Sequence, residues 1–560
     1  MNGIALTGEV IFYLAVGSLV YVVLISIYRI TLHPLAKYPG PFLDKISGWP
    51  LVFHCYNGNR HLVEYRNHQK YGSIVRYAPN SLSFNSALSL QAIHGLKANV
   101  KKGDWYKTVD ISAGAPSTQM VIDKPEHAVR RRKMAPAFSE RALKEAEGLI
   151  SISARKLAEQ IGKQQSKSSD GGAHSEDSDN DTWTTPQNFS NWSTWFGFDF
   201  ISDLGYGESF GMLDNDANRW VAPVLRSASR FLYYVGYLPF IDLIRPLMGT
   251  RVQDYIGGQS AADSLKYTNL ANARLAQRIA LEEKMQQAGE KPNRRDTFHY
   301  LLNSKDPATG KGLTREELQA DSALVIAAGA DGVGLTLSAT VFYLIRNPTA
   351  LSKLTTEICQ AFASLAEIQN PKLNSLTYLS ACIDETLRLC PPKASTAPRQ
   401  VLAGGMEIDG HYIPAGVDVG TPVYVLHHNE EHFPQPWSYK PERWIVVDSD
   451  GKTVAAGEET EGVTRESVLQ ARAALCPFLI GPMNCIGKNM AYFALKVSLA
   501  QLLWGYDIRA SREGEGIGGN GGGAKDLELG RQREDEYQIT DYITGFRDGP
   551  IVQLRARARG

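Results

Sequence analysis

The chain has 560 residues with Lys+Arg and Asp+Glu balanced at 59 each, which excludes a nucleic-acid or polyanion-binding role driven by overall charge and leaves only local patches for electrostatic docking. Its six cysteines, Cys55, Cys359, Cys382, Cys390, Cys476 and Cys485, include no C-x-x-C pair and no regular spacing, which argues against a zinc ribbon or disulfide scaffold and for reduced thiols in a cytosolic domain. Length alone suggests about three or four domains, yet no change in composition divides the chain that way.

From Val10 to Ile27 the residues are apolar or small and uncharged, a run of roughly 18 that nearly matches the ~20 needed to span a bilayer. Arg29, His33 and Lys37 follow it and only Glu9 precedes it, so the positive-inside rule puts the N-terminus in the lumen and the remainder in the cytosol. The run exceeds a signal-peptide core of about 7–15 residues and no basic segment precedes it, which favours a retained anchor over residues 1–30. Residues 31–44 contain Pro34, Pro39 and Pro41 and form a stiff hinge. Tyr71 to Phe84 alternates apolar residues around Pro79-Asn80 and reads as a β-hairpin. Trp105 to Met120 lacks a helical period and reads as a loop.

Asp123-Lys-Pro125-Glu126 opens a helix, with Asp123 as cap. His127 and Arg131 then lie on one face, while Arg130, Arg132 and Lys133 point elsewhere as a basic patch. Residues 163–181, almost without apolar side chains, read as a flexible insertion. Phe231 to Phe240 is unusually aromatic, either as core or as a membrane-dipping lid.

Thr314-Arg-Glu-Glu317 is a capping box. It opens the longest helix of the chain, which Pro348 stops. Its middle, Ala327 to Gly334, is nearly all small, at a propensity cost of up to about 1 kcal/mol per Gly, so something must lie against it. Two readings remain open here, a close helix contact and a bound group; a second membrane span is disfavoured by the central Asp331, which would cost about 2.5–3.5 kcal/mol. Glu385 and Arg388 lie three apart on a helix. His427, His428 and His432 read as hydrogen-bonded or surface residues rather than metal ligands. Residues 511–534, rich in Gly and charge, read as a second flexible insertion before a last strand pair. Between these, Phe478-Leu-Ile-Gly481-Pro-Met-Asn-Cys485-Ile-Gly487 places one cysteine just before a helix from Lys488 to about Leu503. Free N–H groups and the helix dipole there should lower its pKa.

Phe478-x-x-Gly481-x-x-x-Cys485-x-Gly487 resembles the haem-ligand loop of the cytochrome P-450 superfamily. Glu385-x-x-Arg388, Pro441-Glu-Arg443-Trp444 and Ala328-Gly329-Ala330-Asp331 match three further family motifs in the family's order. The resemblance covers the chain from about Tyr38 to about Leu554. It implies a mainly α fold with small β-sheets and a single N-terminal transmembrane helix, with one haem-thiolate catalytic domain over residues 45–560. It further implies Cys485 as the axial iron ligand, shielded by Phe478. Gly481 would allow the turn and Gly487 close approach of the flat haem. His127, Arg131 and Arg399 would hold the haem propionates, and residues 393–397 would line the pocket. Glu385, Arg388 and Arg443 would form a buried structural cluster, and Asp331, Gly332 and Thr336 would serve oxygen activation.

Three departures stand out. Met483 occupies a position usually Arg, His127 one usually Trp, and Gly332-Val333 one usually Thr-Thr. The activity implied is insertion of one oxygen atom of dioxygen into a hydrophobic small molecule. Electrons would come from NADPH through a reductase docked on the proximal basic patch. The setting implied is the endoplasmic reticulum membrane, single-pass with a cytosolic domain, in fungal secondary metabolism, with no nucleic-acid partner. A haem-thiolate isomerase or dehydratase that consumes no dioxygen, and a catalytically silent haem- or ligand-binding protein, are the two rivals.

Overall fold

The structure is a computed structural model that describes residues 2–108, 114–164, 183–244, 251–289, 295–446, 463–511 and 519–557. The fold is mainly helical with small sheets, as expected. Helix Asn2–Thr31 leads the chain, and its segment Ile11–Thr31 is apolar, long enough to cross a membrane and exposed along most of its length. Its end is fastened to the body: Arg29 donates to the Ile46 carbonyl at 2.6 Å, and the buried Arg76 donates to the Arg29 carbonyl at 2.8 Å. The proline segment is docked too, because Leu35 and Tyr38 are buried and Arg76 N–H donates to the Pro39 carbonyl.

The hairpin expected near residue 79 is present as Ile74–Ala78 against Ser81–Phe84. It belongs to a five-stranded sheet whose order continues through Asp418–Gly420 and Arg399–Val401 to Val100–Lys102. That sheet fixes Arg399. Trp105 and Tyr106 begin the expected loop in a short 3-10 turn, both buried, whereas residues 109–113 lie outside the described residues.

The long helix runs Arg315–Arg346, its capping box closed by Thr314 and Glu317. Its small residues have two distinct causes. Gly329 and Gly334 abut helix Phe189–Tyr206, since an added Cβ would stand 2.6 Å from Ile201 and 2.8 Å from the Ser193 carbonyl. A Cβ at Gly332 would meet no atom within 4 Å. The helix contact therefore explains part of the small stretch, and the rest borders open space. Although apolar enough for a membrane, this helix is sheathed by protein.

Two expected insertions are only partly described. Lys163 and Gln164 finish helix Glu140–Gly162, and residues 165–182 lie outside the described set. Of residues 511–534, 512–518 lie outside it. The part from Gly519 onward folds on itself, with Gly523 and Ala524 donating to the Arg533 and Arg531 carbonyls, and is tied to the body where Gly519 N–H donates to the Asp548 carboxylate and a Cβ at Gly521 would strike Tyr537.

Candidate active site

Cys485 sits in a loop tightened from both sides. Its N–H donates to the Phe478 carbonyl at 2.9 Å, and Asn484 N–H donates to the Gly481 carbonyl at 3.2 Å. Gly481 has φ +70 and a Cβ there would stand 1.9 Å from the His94 carbonyl, so both conformation and space require glycine. Gly487 is different. A Cβ there would meet only Phe138 at 3.8 Å and the Cys485 sulfur at 4.0 Å, so the protein's own packing does not demand glycine. Helix Lys488–Gly505 follows, capped by Gly487.

The Cys485 side chain keeps accessible surface although it lies deep among protein atoms, so that surface faces a space inside the molecule. Its pKa differs from the sequence expectation. Burial pushes it up, and the Gly487 N–H, Arg131 and Lys488 only partly oppose this. The helix start alone does not make a thiolate here; coordination of a metal, which requires the deprotonated sulfur, would. Phe478 contributes the carbonyl that holds Cys485, and its ring packs against Tyr492 with centroids 5.4 Å apart.

Beside the loop lies a cavity of about 430 Å³ lined in part by Ile93, Val100, His127, Arg131, Arg399 and Met483. Lys124 and Arg132 also border it, and among the described residues lining it none is a carboxylate. An apolar cavity with a cationic rim suits a flat apolar group bearing carboxylates, and the freedom around Gly487 suits close approach of such a plane. The residues present therefore fit haem.

Arg131 donates through Nη1 to the Asn484 carbonyl at 2.6 Å and through Nη2 to the Asn484 side chain, so it supports the Cys loop as well as the rim. Arg399 is buried and donates to Tyr106 Oη at 3.1 Å. Burial, then Lys102, Arg131 and Arg399, pull His127 down to about 4, so it presents a neutral ring. The basic patch expected beside it is not there. Arg130 is buried against Glu317 and Asp321, Lys133 is buried and donates to the Gly312 carbonyl, and Arg132 pairs with Asp306. Arg130 and Lys133 thereby staple this helix to Glu317 and Asp321 at the start of the long one, and Arg132 ties it to the segment just before, where the buried Asp306 carboxylate needs a partner.

Glu385, Arg388 and Arg443 come together. Arg388 is bidentate to Glu385 at 2.9 and 2.8 Å, Arg443 adds a 3.0 Å bond, and Trp444 Nε1 donates to the same carboxylate at 3.0 Å. Burial raises the Glu385 pKa, but Arg388 and Arg443 outweigh it and hold the carboxyl below its ordinary value. Sequence reasoning missed how this cluster reaches the Cys loop. Cys476 N–H donates to His427 Nε2 at 2.9 Å, which leaves Nδ1 protonated and donating to the Arg388 carbonyl at 3.1 Å. The adjacent pair His427-His428 was the only available hint. His428 instead stacks on Trp437 at 4.3 Å and bonds the Tyr424 carbonyl.

On the long helix, Asp331 is buried and accepts from Thr544 Oγ1 at 3.2 Å; burial raises its pKa, opposed by Arg547 and Thr544. Gly332 retains partial exposure in an otherwise buried stretch. Thr336 is 1% exposed and spends its hydroxyl on the Gly332 carbonyl at 2.8 Å, so it is not poised toward the open space.

The family described as Cytochrome P450 matches residues 45–516. A cytochrome P450 monooxygenase of Fusarium equiseti, fscF, is 35% identical over 546 residues, covering 96% of this chain and 95% of its own. A second, AKT7 of Alternaria alternata, is 34% identical over 546 residues, covering 97% of each chain. The chain thus belongs to the cytochrome P450 family, as a monooxygenase whose haem takes a cysteine thiolate.

Proposed function

We propose that Cys485 is the haem ligand, and that the protein oxidises a hydrophobic small molecule at the endoplasmic reticulum membrane, using electrons from NADPH through a reductase, in fungal secondary metabolism. The observation that carries this is the Cys485 loop: a single cysteine, bonded in place before a helix, beside an apolar cavity rimmed by Arg131, Arg399 and His127. Bound haem supplies dioxygen activation, with the thiolate donating electron density to the iron.

The protein's own residues have separable tasks. Arg131, Arg399 and His127 hold the two haem carboxylates, with Met483 contributing no charge. Gly481 and the Phe478 carbonyl hold the sulfur's position, and the Glu385 cluster supports them through His427. Asp331 and its neighbours manage protons. The overall balance is RH + O2 + NADPH + H+ → ROH + H2O + NADP+, so each product consumes one dioxygen and one NADPH.

The membrane reading is supported by more than the anchor. Phe42, Leu43, Trp49, Phe53, Phe240 and Leu243 are all exposed, and Trp49 touches Phe240 with ring centroids 5.6 Å apart. The anchor is fastened at Ile46, between these residues. This apolar face fits an interfacial membrane contact.

A second reading, isomerisation without dioxygen, is favoured by one observation: neither Gly332 nor the committed Thr336 offers a free hydroxyl. Counting NADPH and dioxygen consumed against product, with purified reductase and extracts of the source organism as substrate, tests the proposal. Equal consumption supports it; product without NADPH or dioxygen overturns it in favour of isomerisation. Saturable binding with no product under the same conditions would point to a silent binding protein.

A further inference from the structure

We infer that Asp384 and Tyr492 brace the Cys485 loop through Phe478, and that this brace sets how the sulfur is presented to the iron. This rests on the reading of Cys485 as haem ligand. Both residues act through others, so they are positioning residues.

Helix Thr377–Leu389 carries Asp384 next to Glu385, and the two carboxylates turn to different partners. Glu385 takes Arg388, Arg443 and Trp444. Asp384, 7% exposed, accepts through Oδ1 from Tyr492 Oη at 2.6 Å and faces Arg472 through Oδ2 at 3.5 Å. Arg472 also lies over the Trp444 ring, 5.7 Å from its centroid, so the two acidic sites share a neighbour. Tyr492 stands about one turn into helix Lys488–Gly505. Its ring meets that of Phe478, and the Phe478 carbonyl is the acceptor for Cys485 N–H. Contacts therefore run without a gap from the Asp384 carboxylate through the phenol, the Phe478 ring and its carbonyl to the backbone that carries the sulfur.

A second grip acts on the same segment. His427 holds Cys476 N–H and is itself bonded to the Arg388 carbonyl, on the helix that carries Asp384. One helix thus fastens the loop at both Cys476 and Phe478. Between these grips and the sulfur lies Leu479, whose φ is +55 and whose N–H donates to the Cys476 carbonyl at 2.9 Å. A leucine keeps that left-handed conformation only where its surroundings enforce it. Burial, then Asp384, hold the Tyr492 phenol well above its ordinary pKa, so it stays a donor. Phenylalanine at 492 would fill the same space but leave Asp384 Oδ1 without its bond in the interior, and the ring would lose the tie that orients it. The Gly487 N–H bonds the Cys485 sulfur and steadies its negative charge. A slackened loop weakens that bond, leaves more electron density for the iron and lowers its reduction potential.

The test uses the full-length holoenzyme as wild type, Tyr492→Phe, Asp384→Leu, Asp384→Asn, and Tyr492→Phe combined with Asp384→Leu. Three quantities are read: the haem reduction potential, the iron–sulfur stretching frequency by resonance Raman, and hydrogen exchange at the Cys485 amide. In Tyr492→Phe and in Asp384→Leu the reduction equilibrium is expected to move roughly threefold toward iron(III), and Cys485 exchange to quicken roughly fivefold, the order of one hydrogen bond lost. The iron–sulfur frequency should rise in both. The double variant should move no further than either single one, and Asp384→Asn, which keeps an oxygen to accept from the phenol, should stay near the wild type. A lower denaturation midpoint with the potential and frequency unmoved is what a purely structural contact would give, and it overturns the inference. A raised potential, or effects that add in the double variant, also overturns it. A wild type without a thiolate-type carbon-monoxide spectrum overturns the haem-ligand reading instead, and exchange at Cys485 still decides whether Asp384 and Tyr492 hold the loop.

Discussion

Two glycines of the Cys loop were readable as glycines needed for something, but only the structure separates what each is needed for. Gly481 faces the His94 carbonyl and Gly487 faces nothing that forbids a methyl group. Gly481→Ala is therefore expected to destabilise the apoprotein itself. Gly487→Ala should leave apoprotein unfolding unchanged and lower haem occupancy, measured by denaturation and haem titration; full occupancy in both variants would contradict this division. Met483 leaves the rim one cation short, so Met483→Arg should slow haem transfer to a haem-scavenging protein. Arg131→Ala should speed it, since a charge-assisted hydrogen bond is worth about 1.5–3 kcal/mol. Arg131→Ala should have a further effect, because its guanidinium also braces Asn484 beside the ligand. Equal transfer rates in all three proteins would show that the carboxylates are held by other groups.

Elements placed these residues, and here the sequence was a partial guide. The capping box at Thr314, the stop at Pro348 and the Asp123 cap were all legible because they are local rules with local partners. The basic patch was misjudged because helical spacing says which way Arg130 and Lys133 point but not that Glu317 and Asp321, nearly 190 residues on, wait there. The His427 bridge was hidden for the same reason. His427→Leu leaves the Cys476 N–H and Arg388 carbonyl unpaired in the interior, at about 1–3 kcal/mol for each group. His427→Gln can donate and accept as the imidazole does, and should retain the thiolate spectrum that His427→Leu weakens. The pH dependence has a definite sign. Burial and Arg388 hold the folded pKa of His427 at about 3, below its ordinary 6.5, so the unfolded chain binds the proton more readily. Stability owed to the neutral ring is intact above about pH 6.5 and lost as pH falls toward 3. Chemical denaturation at pH 7 and pH 5 should show a smaller loss in His427→Gln than in the wild type; identical losses would contradict the assignment.

At the scale of the whole molecule, an anchor helix, a docked proline segment and an exposed apolar face lie on connected parts of the chain. Deleting residues 2–28 should release part of the protein from membranes in salt-washed fractions. Adding Trp49→Ser, Phe53→Ser and Leu243→Ser to the deletion should release the rest with haem content retained; complete release by the deletion alone would show that the apolar face does not bind lipid. The overall architecture was legible because several motifs in a fixed order describe one fold, whereas the Thr544–Asp331 contact, joining positions 213 apart, depends on tertiary packing that no local pattern announces. All of these readings depend on the sulfur of Cys485 holding the haem. The most direct measurement is the reduced carbon-monoxide spectrum of purified wild type and Cys485→Ala. The account predicts a thiolate-type spectrum that is lost in the variant, and a variant that keeps it would contradict the account at its centre.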